Sequence, residues 1–465
     1  MSDAETTTTR APDAPHPLRW TALGLLGLAQ LMLILDITVV AIALPDMGDE
    51  LGLGRATLTW VVSGYALTFG SLMLLGGRAA DLFGPKRIVL AGLAMFTGAS
   101  LAAGLATGAP LLLTARSAQG AGAAMLSPAA LSVVVRLFDG EERNRALGIW
   151  SALGGGGAAL GVLLGGLITA GPGWAWVFFV NVPVGLIILL ALARILPSLP
   201  RAGTGSLDIA GAVLVAAATG ALIYSLIRAG DHGWLDLLTV ALAASAAALY
   251  ASFAVRQRRA AAPLMDLRLL GRRPVVAGTF VIAVTTALMV GAFFLGSFYL
   301  QNRQGHGALM TGVLFLPVAL LTMAAAAAAG RVIGRLGARL LAVMSLAVAA
   351  AGFLVPVLGS GTAAMVTGVS VAAAGLGALF VVASATALAG VAPHEAGVTS
   401  GIVSTFHEFG AAAGAAAVSS AAAASIAART GAQTAAGFEN AFLVAAGLAA
   451  VSGVIARWLI PAEHE

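Results

Sequence analysis

Three places in the chain set ionisable side chains among apolar neighbours. Asp36 stands in Leu35-Asp36-Ile37-Thr38-Val39-Val40, and Arg116 follows Leu111-Leu112-Leu113-Thr114-Ala115. His407-Glu408 interrupts a stretch of small and apolar residues. A carboxyl held away from water resists its charged form. Asp36 can therefore carry a proton in one direction, and attract a cation or let it go in the other. Placing such a group inside a membrane costs about 2.5–3.5 kcal/mol on insertion scales, and no structural need for it is apparent. The alternative is an acid near the outer interface that is merely solvated. A buried guanidinium must find a partner. Gln119 lies one helical turn beyond Arg116, on the same face. The pair can adjust how tightly the acid holds its proton, or relay it; a clamp onto backbone carbonyls is the plainer reading. Glu408 offers a second protonatable site, with the imidazole of His407, a side chain suited to proton exchange, beside it. Either can instead reach water from near the helix end.

A second kind of chemistry lies in Gly77-Arg78-Ala79-Ala80-Asp81-Leu82-Phe83-Gly84-Pro85-Lys86-Arg87. Asp81 is placed to meet the positive end of a neighbouring helix, while Lys86 and Arg87 also serve as plain topology signals. Trp60, Tyr65, Phe294 and Phe298 are candidate cavity-lining aromatics, suited to flat cations by stacking and cation–π contact. Such residues more often face lipid. Gly154–Gly157, Gly161, Gly165 and Gly166, with Gly410 and Gly414, let helices approach closely, either as a sliding interface between bundles or as ordinary packing.

Other chemistries find no residues. The sequence has no cysteine and one lysine, Lys86. That removes disulfides, thiolate catalysis and Cys-ligated metals. There is no phosphate-binding loop and no His-Glu-x-x-His pair. His16, His232, His306, His394 and His464 are scattered, so no metal, catalytic residue or enzyme activity is expected.

These residues need elements that hold them out of water, and the composition supplies them. Of the 465 residues, 59% are hydrophobic and only 10% charged, and mean hydropathy is +0.97. A soluble protein of this size carries nearer 25% charge. The chain is an all-α polytopic membrane protein, and the composition excludes a soluble enzyme or a nucleic-acid binder. At roughly 20 apolar residues per span, fourteen spans are expected: 20–44, 57–77, 87–107, 111–135, 146–170, 174–194, 208–228, 235–255, 274–300, 308–330, 339–358, 364–388, 399–426 and 438–460. With both termini cytoplasmic, twenty of the 25 basic residues fall in inner segments. Only Arg55, Arg228, Arg303 and Arg429 fall outside, as the positive-inside rule requires.

Gly330-Arg331, Gly337 and Arg339 repeat the spacing of Gly77-Arg78, Gly84 and Lys86, with Gly334 where the first copy has Asp81. Duplication of a six-span unit places both loops in matching positions. The expected organisation is a disordered cytoplasmic tail (1–17), an N-terminal six-helix bundle (18–200), an inserted hairpin of spans 7–8 (201–260) and a C-terminal six-helix bundle (261–465). The basic, leucine-bearing stretch 256–273 reads as an interfacial segment or a simple linker.

Four stretches in order resemble the 14-span drug:proton antiporters of the major facilitator superfamily. They are Leu35–Pro45, Gly77–Arg87, Arg116-Ser117-Ala118-Gln119-Gly120-Ala121-Gly122 and Trp174–Pro183. The resemblance implies the major facilitator fold, with two six-helix bundles and an inserted two-helix hairpin. It implies multidrug efflux by proton antiport, with Asp36, Arg116, Gln119, Glu408 and His407 in coupling or substrate binding. It also implies a gate at Gly77, Asp81, Gly84, Lys86 and Arg87 that closes on span 13. The expected partners are lipophilic small molecules, cationic ones among them, together with protons and the lipid bilayer; no nucleic acid is expected. The proton gradient replaces a cofactor. A monomer in the inner membrane of a bacterium is expected. The sequence departs from the family at Ala41, at His407-Glu408 and at Val162, where the family usually has a span-5 proline. The last departure leaves an importer open beside a dedicated exporter of one metabolite.

Overall fold

The computed structural model describes residues 17–171, 173–197, 208–260, 263–392, 395–426 and 431–461. The expected tail up to residue 16, His16, His394, His464, Arg201 and Arg429 lie outside the described residues. The described chain is helical throughout, in the order α1 (Arg19–Leu51), α2 (Arg55–Phe83), α3 (Pro85–Gly104), α4 (Ala109–Leu137), α5 (Gly140–Ala170), α6 (Trp176–Phe179), α7 (Asn181–Ile195), α8 (Ile209–His232), α9 (Leu237–Arg259), α10 (Arg273–Phe298), α11 (Ala308–Leu314), α12 (Leu316–Leu336), α13 (Ala338–Leu358), α14 (Gly361–Ala387), α15 (Ala396–Ile426) and α16 (Gly431–Leu459). A short 3-10 turn (Leu267–Gly271) precedes α10, and a π-helical turn (Tyr299–Arg303) follows it.

Twelve segments of the described residues are long and apolar enough to cross a membrane by length and composition. The fourteen expected from the sequence differ by α5 and α15. The first turns of α5 hold Glu141, Glu142, Arg143 and Arg145, and the rest is glycine-rich. Helix α15 is mostly alanine, glycine, serine and threonine around His407 and Glu408. The side chains of 154–156 and 158–160 in α5, and those from 418 onward in α15, lie outside the described residues, so neither helix offers a long enough apolar stretch among the described ones. Each is nonetheless 31 residues long, ample for a bilayer at 1.5 Å per residue. Both lie at seams, α5 against α1 and α12, and α15 against α10 and α2.

Apart from the seam helices α5 and α15, helices α1–α7 pack mainly on one another, as do α10–α16. Large buried side chains such as Phe96 and Phe138 fill the first group, and Phe315, Phe353 and Phe442 the second. Helix α8 pairs with α9 and rests on α2 and α15. The glycine runs pack helices within each group. A Cβ on Gly157 would fall 2.9 Å from Ile34 of α1, and one on Gly414 would meet Ala287 of α10. The glycines between the groups lie elsewhere: Gly77 faces Gly397 and Gly401, and Gly148 faces Gly330.

The stretch Gly77–Arg87 is not the open loop that its charges suggest. Helix α2 continues to Phe83 and α3 begins at Pro85, so one residue makes the turn. That residue is Gly84, at φ 94°, ψ 133°. Gly337 repeats it between α12 and α13, at φ 77°, ψ 147°. Side chains rarely tolerate this backbone region. Gly84→Ala and Gly337→Ala should each destabilise the detergent-solubilised protein by about 1–3 kcal/mol. Gly24→Ala, inside α1 with nothing within 4 Å of the new methyl, should leave the melting temperature unchanged or raise it.

Candidate functional site

Asp36 projects from α1 into a closed polar cluster and is only 2% exposed. Its Oδ2 forms an ion pair with Arg116 of α4, a buried charge pair with no side-chain exposure on either partner. Its Oδ1 accepts hydrogen bonds from Gln119 Nε2 and from Asn181 Nδ2, both at 3.1 Å. Gln119 also donates to Ser100 Oγ on α3 (2.8 Å) and accepts from Arg116 Nη1 (2.9 Å). Arg116 Nε donates to the Val61 carbonyl of α2 at 2.9 Å, and the guanidinium lies 4.5 Å from the centre of the Tyr65 ring. Five helices thus converge on one carboxylate. A guanidinium taken out of water needs this many partners, because removing one partner of a buried pair costs about 3–5 kcal/mol.

The sequence-derived trio Asp36, Arg116 and Gln119 is therefore one assembly. Asn181 and Ser100 belong to it and were missed as site residues. An amide at position 181, inside the apolar Val177–Val184 run, was the available signal; Ser100 gives none, since serines commonly bond their own helix backbone, as Ser100 does to Phe96. Asp36 is not solvated at an interface, and Arg116 does more than bind carbonyls.

Glu408 stands apart, on α15 and in the other helix group. Its Oε1 lies 3.0 Å from Nδ1 of His407. The acid packs on Gly70 of α2, where a Cβ would fall 3.4 Å from Glu408 Cβ. The His407 ring lies 5.9 Å from that of Phe380. Tyr65 is buried and holds Arg116 against its ring. The remaining candidate aromatics do not join this assembly. Trp60 stacks on Tyr224 of α8 at 5.7 Å, Phe294 is exposed, and Phe298 is half-buried.

The gate residues form a second assembly. Asp81, fully buried, accepts hydrogen bonds from the amides of Gly397 (3.0 Å) and Val398 (2.9 Å). These amides open α15, so the carboxylate caps the positive helix end. Arg136, at the end of α4, holds Asp81 Oδ1 at 2.7 Å. Gly77 permits this approach, since a Cβ there would fall 3.2 Å from Gly401 Cα and closer still to the Gly397 backbone. Lys86 donates instead to the Leu196 carbonyl (2.6 Å), inside its own helix group, and Arg87 points outward, exposed.

The segment before α10 is strapped across this gate. Leu264, Met265 and Leu269 are buried beside Leu74 of α2, Val398 and Ile402 of α15 and Phe253 of α9. Gln257 Oε1 accepts from the amides of Leu264 (2.6 Å) and Met265 (3.2 Å), and its Nε2 donates to Asp208 (2.9 Å). Arg78 reaches the Pro263 carbonyl at 3.3 Å, and Arg272 pairs with Glu395 at 2.7 Å. Burial pushes the Asp208 carboxyl up, but the hydrogen bonds from Arg256, the Gly211 amide and Gln257 outweigh it and hold it below the usual carboxylate range.

A charged, dry cluster inside one helical group, and a latch that ties that group to a second at one end, are features of a membrane carrier. A family model described as Major Facilitator Superfamily matches residues 26–415, and the chain belongs to that superfamily. It is 37% identical over 415 residues to the puromycin resistance protein pur8 of Streptomyces alboniger, covering 87% of this chain and 82% of that one. It is 35% identical to the cephamycin export protein CmcT of Amycolatopsis lactamdurans, over 85% and 83% of the two chains. The fold matches the human organic anion transporter MFSD10 with a TM-score of 0.69 at 16% identity, covering 96% of this chain and all of the other.

Asp36→Asn should destabilise the protein by about 3–5 kcal/mol by leaving Arg116 uncompensated, and Asp36→Asn with Arg116→Gln should recover most of the loss; denaturant unfolding in detergent measures both. The lowered Asp208 carboxyl contributes stability above its ordinary value, near 3.9, which is lost as pH falls through the folded value. Hydrogen-exchange protection of Leu264 and Met265 should therefore hold at pH 5–6 and fall at about pH 3 and below. Asp208→Asn should show the low-protection pattern already at neutral pH.

Proposed function

We propose that the chain exports lipophilic compounds, cationic ones among them, from the cytoplasm in exchange for protons, as a fourteen-span carrier. Residues 18–200 and 261–465 form the two bundles, and spans 7–8 form the inserted hairpin. Both termini are cytoplasmic, in the inner membrane of a bacterium. The single observation that carries the reading is the Asp36–Arg116 pair. A carboxylate with no side-chain exposure, held by a guanidinium and two amides, can accept a proton only if that cluster rearranges. Proton binding and helix movement are then the same event. Protonation removes the charge that Arg116 needs, so Arg116 must find another partner, and the packing of α1 against α4 and α7 changes with it.

In this reading the two acids divide the work. The charge of Asp36 is already met by Arg116, so a cationic substrate is drawn by Glu408, whose partner is His407, across the seam between α2 and α15. Tyr65 couples them. The proton potential supplies about 2.3 kcal/mol per charge per 100 mV, which sustains modest gradients with one proton per substrate. The hairpin holds the strap Pro263–Gly271 over the closed gate, which gives spans 7–8 a task beyond spacing. The names of the relatives support efflux, because several are resistance or export proteins. They also favour a second reading, an exporter dedicated to one antibiotic, because several carry the name of a single compound.

Proteoliposomes loaded with a pH indicator test the reading with a panel of cationic dyes and neutral antibiotics. The parent should move protons in response to substrate, Asp36→Asn should not, and Glu408→Gln should lose the cations while keeping neutral substrates. A response to one antibiotic alone establishes the dedicated exporter. Normal proton movement in Asp36→Asn overturns the coupling role of Asp36.

A further inference from the structure

The two halves of the gate do not match. One constant offset along the chain relates Gly77 to Gly330, Asp81 to Gly334, Gly84 to Gly337, Asn144 to Gly397 and Gly148 to Gly401. The structure obeys the same relation. Gly77 meets Gly397 and Gly401, while Gly330 meets Asn144 and Gly148. Asp81 reaches the first turn of α15, while a Cβ on Gly334 would lie 3.8 Å from Asn144 Nδ2, in the first turns of α5. The second seam has thus kept the glycine contact but lost the acid. It has also lost the base that supports the acid, because the offset that leads from Asp81 to Gly334 leads from Arg136 to Ala389.

Another contact crosses that seam. Arg143, in the first turn of α5, donates from Nη2 to the carbonyl of Leu388 at 2.7 Å. Leu388 is the C-terminal cap of α14, in the other helix group. A cation there meets the negative end of a helix, the mirror of an anion meeting the positive end. The residue related to Arg143 by the offset is Ala396, so this contact too occurs once.

We propose that Arg143 is the second latch of the gate, a base on the C-terminus of α14 that stands in for the acid missing at Gly334. Together with Asp81 on the N-terminus of α15, it ties the α1–α7 group to the α10–α16 group at the same end. Both charged side chains belong to the first group, and both grip backbone at helix ends in the second. Opening this end requires both grips to release, and Arg143 holds on irrespective of the protonation of any carboxylate. Arg143 is a positioning residue, since it acts on the equilibrium between conformations and contacts no substrate. The inference rests on the carrier reading above, and its test does not use substrate or protons.

The chain has no cysteine, so two can be introduced for spin labels without removing any. Phe83 and Leu336 are exposed at this end of the two groups, and Phe83→Cys with Leu336→Cys reports their separation by pulsed electron resonance in nanodiscs. The parent should show mainly the short distance. Arg143→Gln should raise the ratio of long to short distances by about tenfold, the scale of losing one charged hydrogen bond. Arg143→Lys should restore much of the short population. Gly334→Asp, which has room for its side chain and faces the Asn144 amide, should restore it in the Arg143→Gln background. Thermal melts of each variant separate a shifted equilibrium from a damaged fold. An unchanged distance distribution in a folded Arg143→Gln protein, or no effect of Gly334→Asp in that background, would overturn the proposal. A failed proton assay with the expected distance changes would overturn the antiport reading and leave the latch standing.

Discussion

The ion pair between Asp36 and Arg116 is the constraint around which the first helix group is organised. Neither charge has water, so each must be met by protein, and α1, α2, α3, α4 and α7 all send a group to the cluster. A buried pair contributes little net stability compared with apolar packing, but loss of one partner is expensive. The arrangement is therefore stable while complete and costly to leave with one partner missing. Tyr65 lies under the guanidinium, its ring 4.5 Å from it.

The seams obey a different physics. Where the groups meet, glycines bring backbones together at Gly77–Gly397 and Gly148–Gly330, and charged side chains bind helix ends at Asp81 and Arg143. The buried strap at Leu264, Met265 and Leu269 adds apolar grip on the Asp81 side, anchored through Gln257 and Asp208 to the α8–α9 hairpin. The gate is thus heavier on one side than the other, in keeping with a duplicated chain whose copies have diverged.

Several residues were readable from the sequence because their surroundings made them anomalous. Asp36 and Arg116 are charges in apolar runs, and such groups are placed at a cost that only function or pairing offsets. The duplicated Gly-Arg spacing gave the two-fold relation, and the composition gave the membrane and the all-helical class. Asn181 stands out in the sequence only as one polar residue of the Trp174–Pro183 stretch, and Ser100 carries no signal at all. The glycine runs of α5 and α15 read equally as sliding surfaces or as packing; Gly157, Gly161, Gly410 and Gly414 pack inside their own groups. The inter-group glycines were a different set, which pattern alone does not distinguish.

The sequence by itself determined the solvent, the element type and the identity of the charged residues, because hydropathy, glycine and charge act locally along the chain. It did not determine who meets whom. Asp36 and Arg116 are brought together by a fold that places α1 beside α4 and α7. Asp81 finds α15, and Arg143 finds Leu388, across separations of 316 and 245 residues. Such pairings depend on the packing of whole helices, where burial of every polar group must be satisfied at once, and no local pattern encodes that sum. That Asp36 is paired with an arginine and Glu408 with a histidine is therefore a property of the tertiary structure alone.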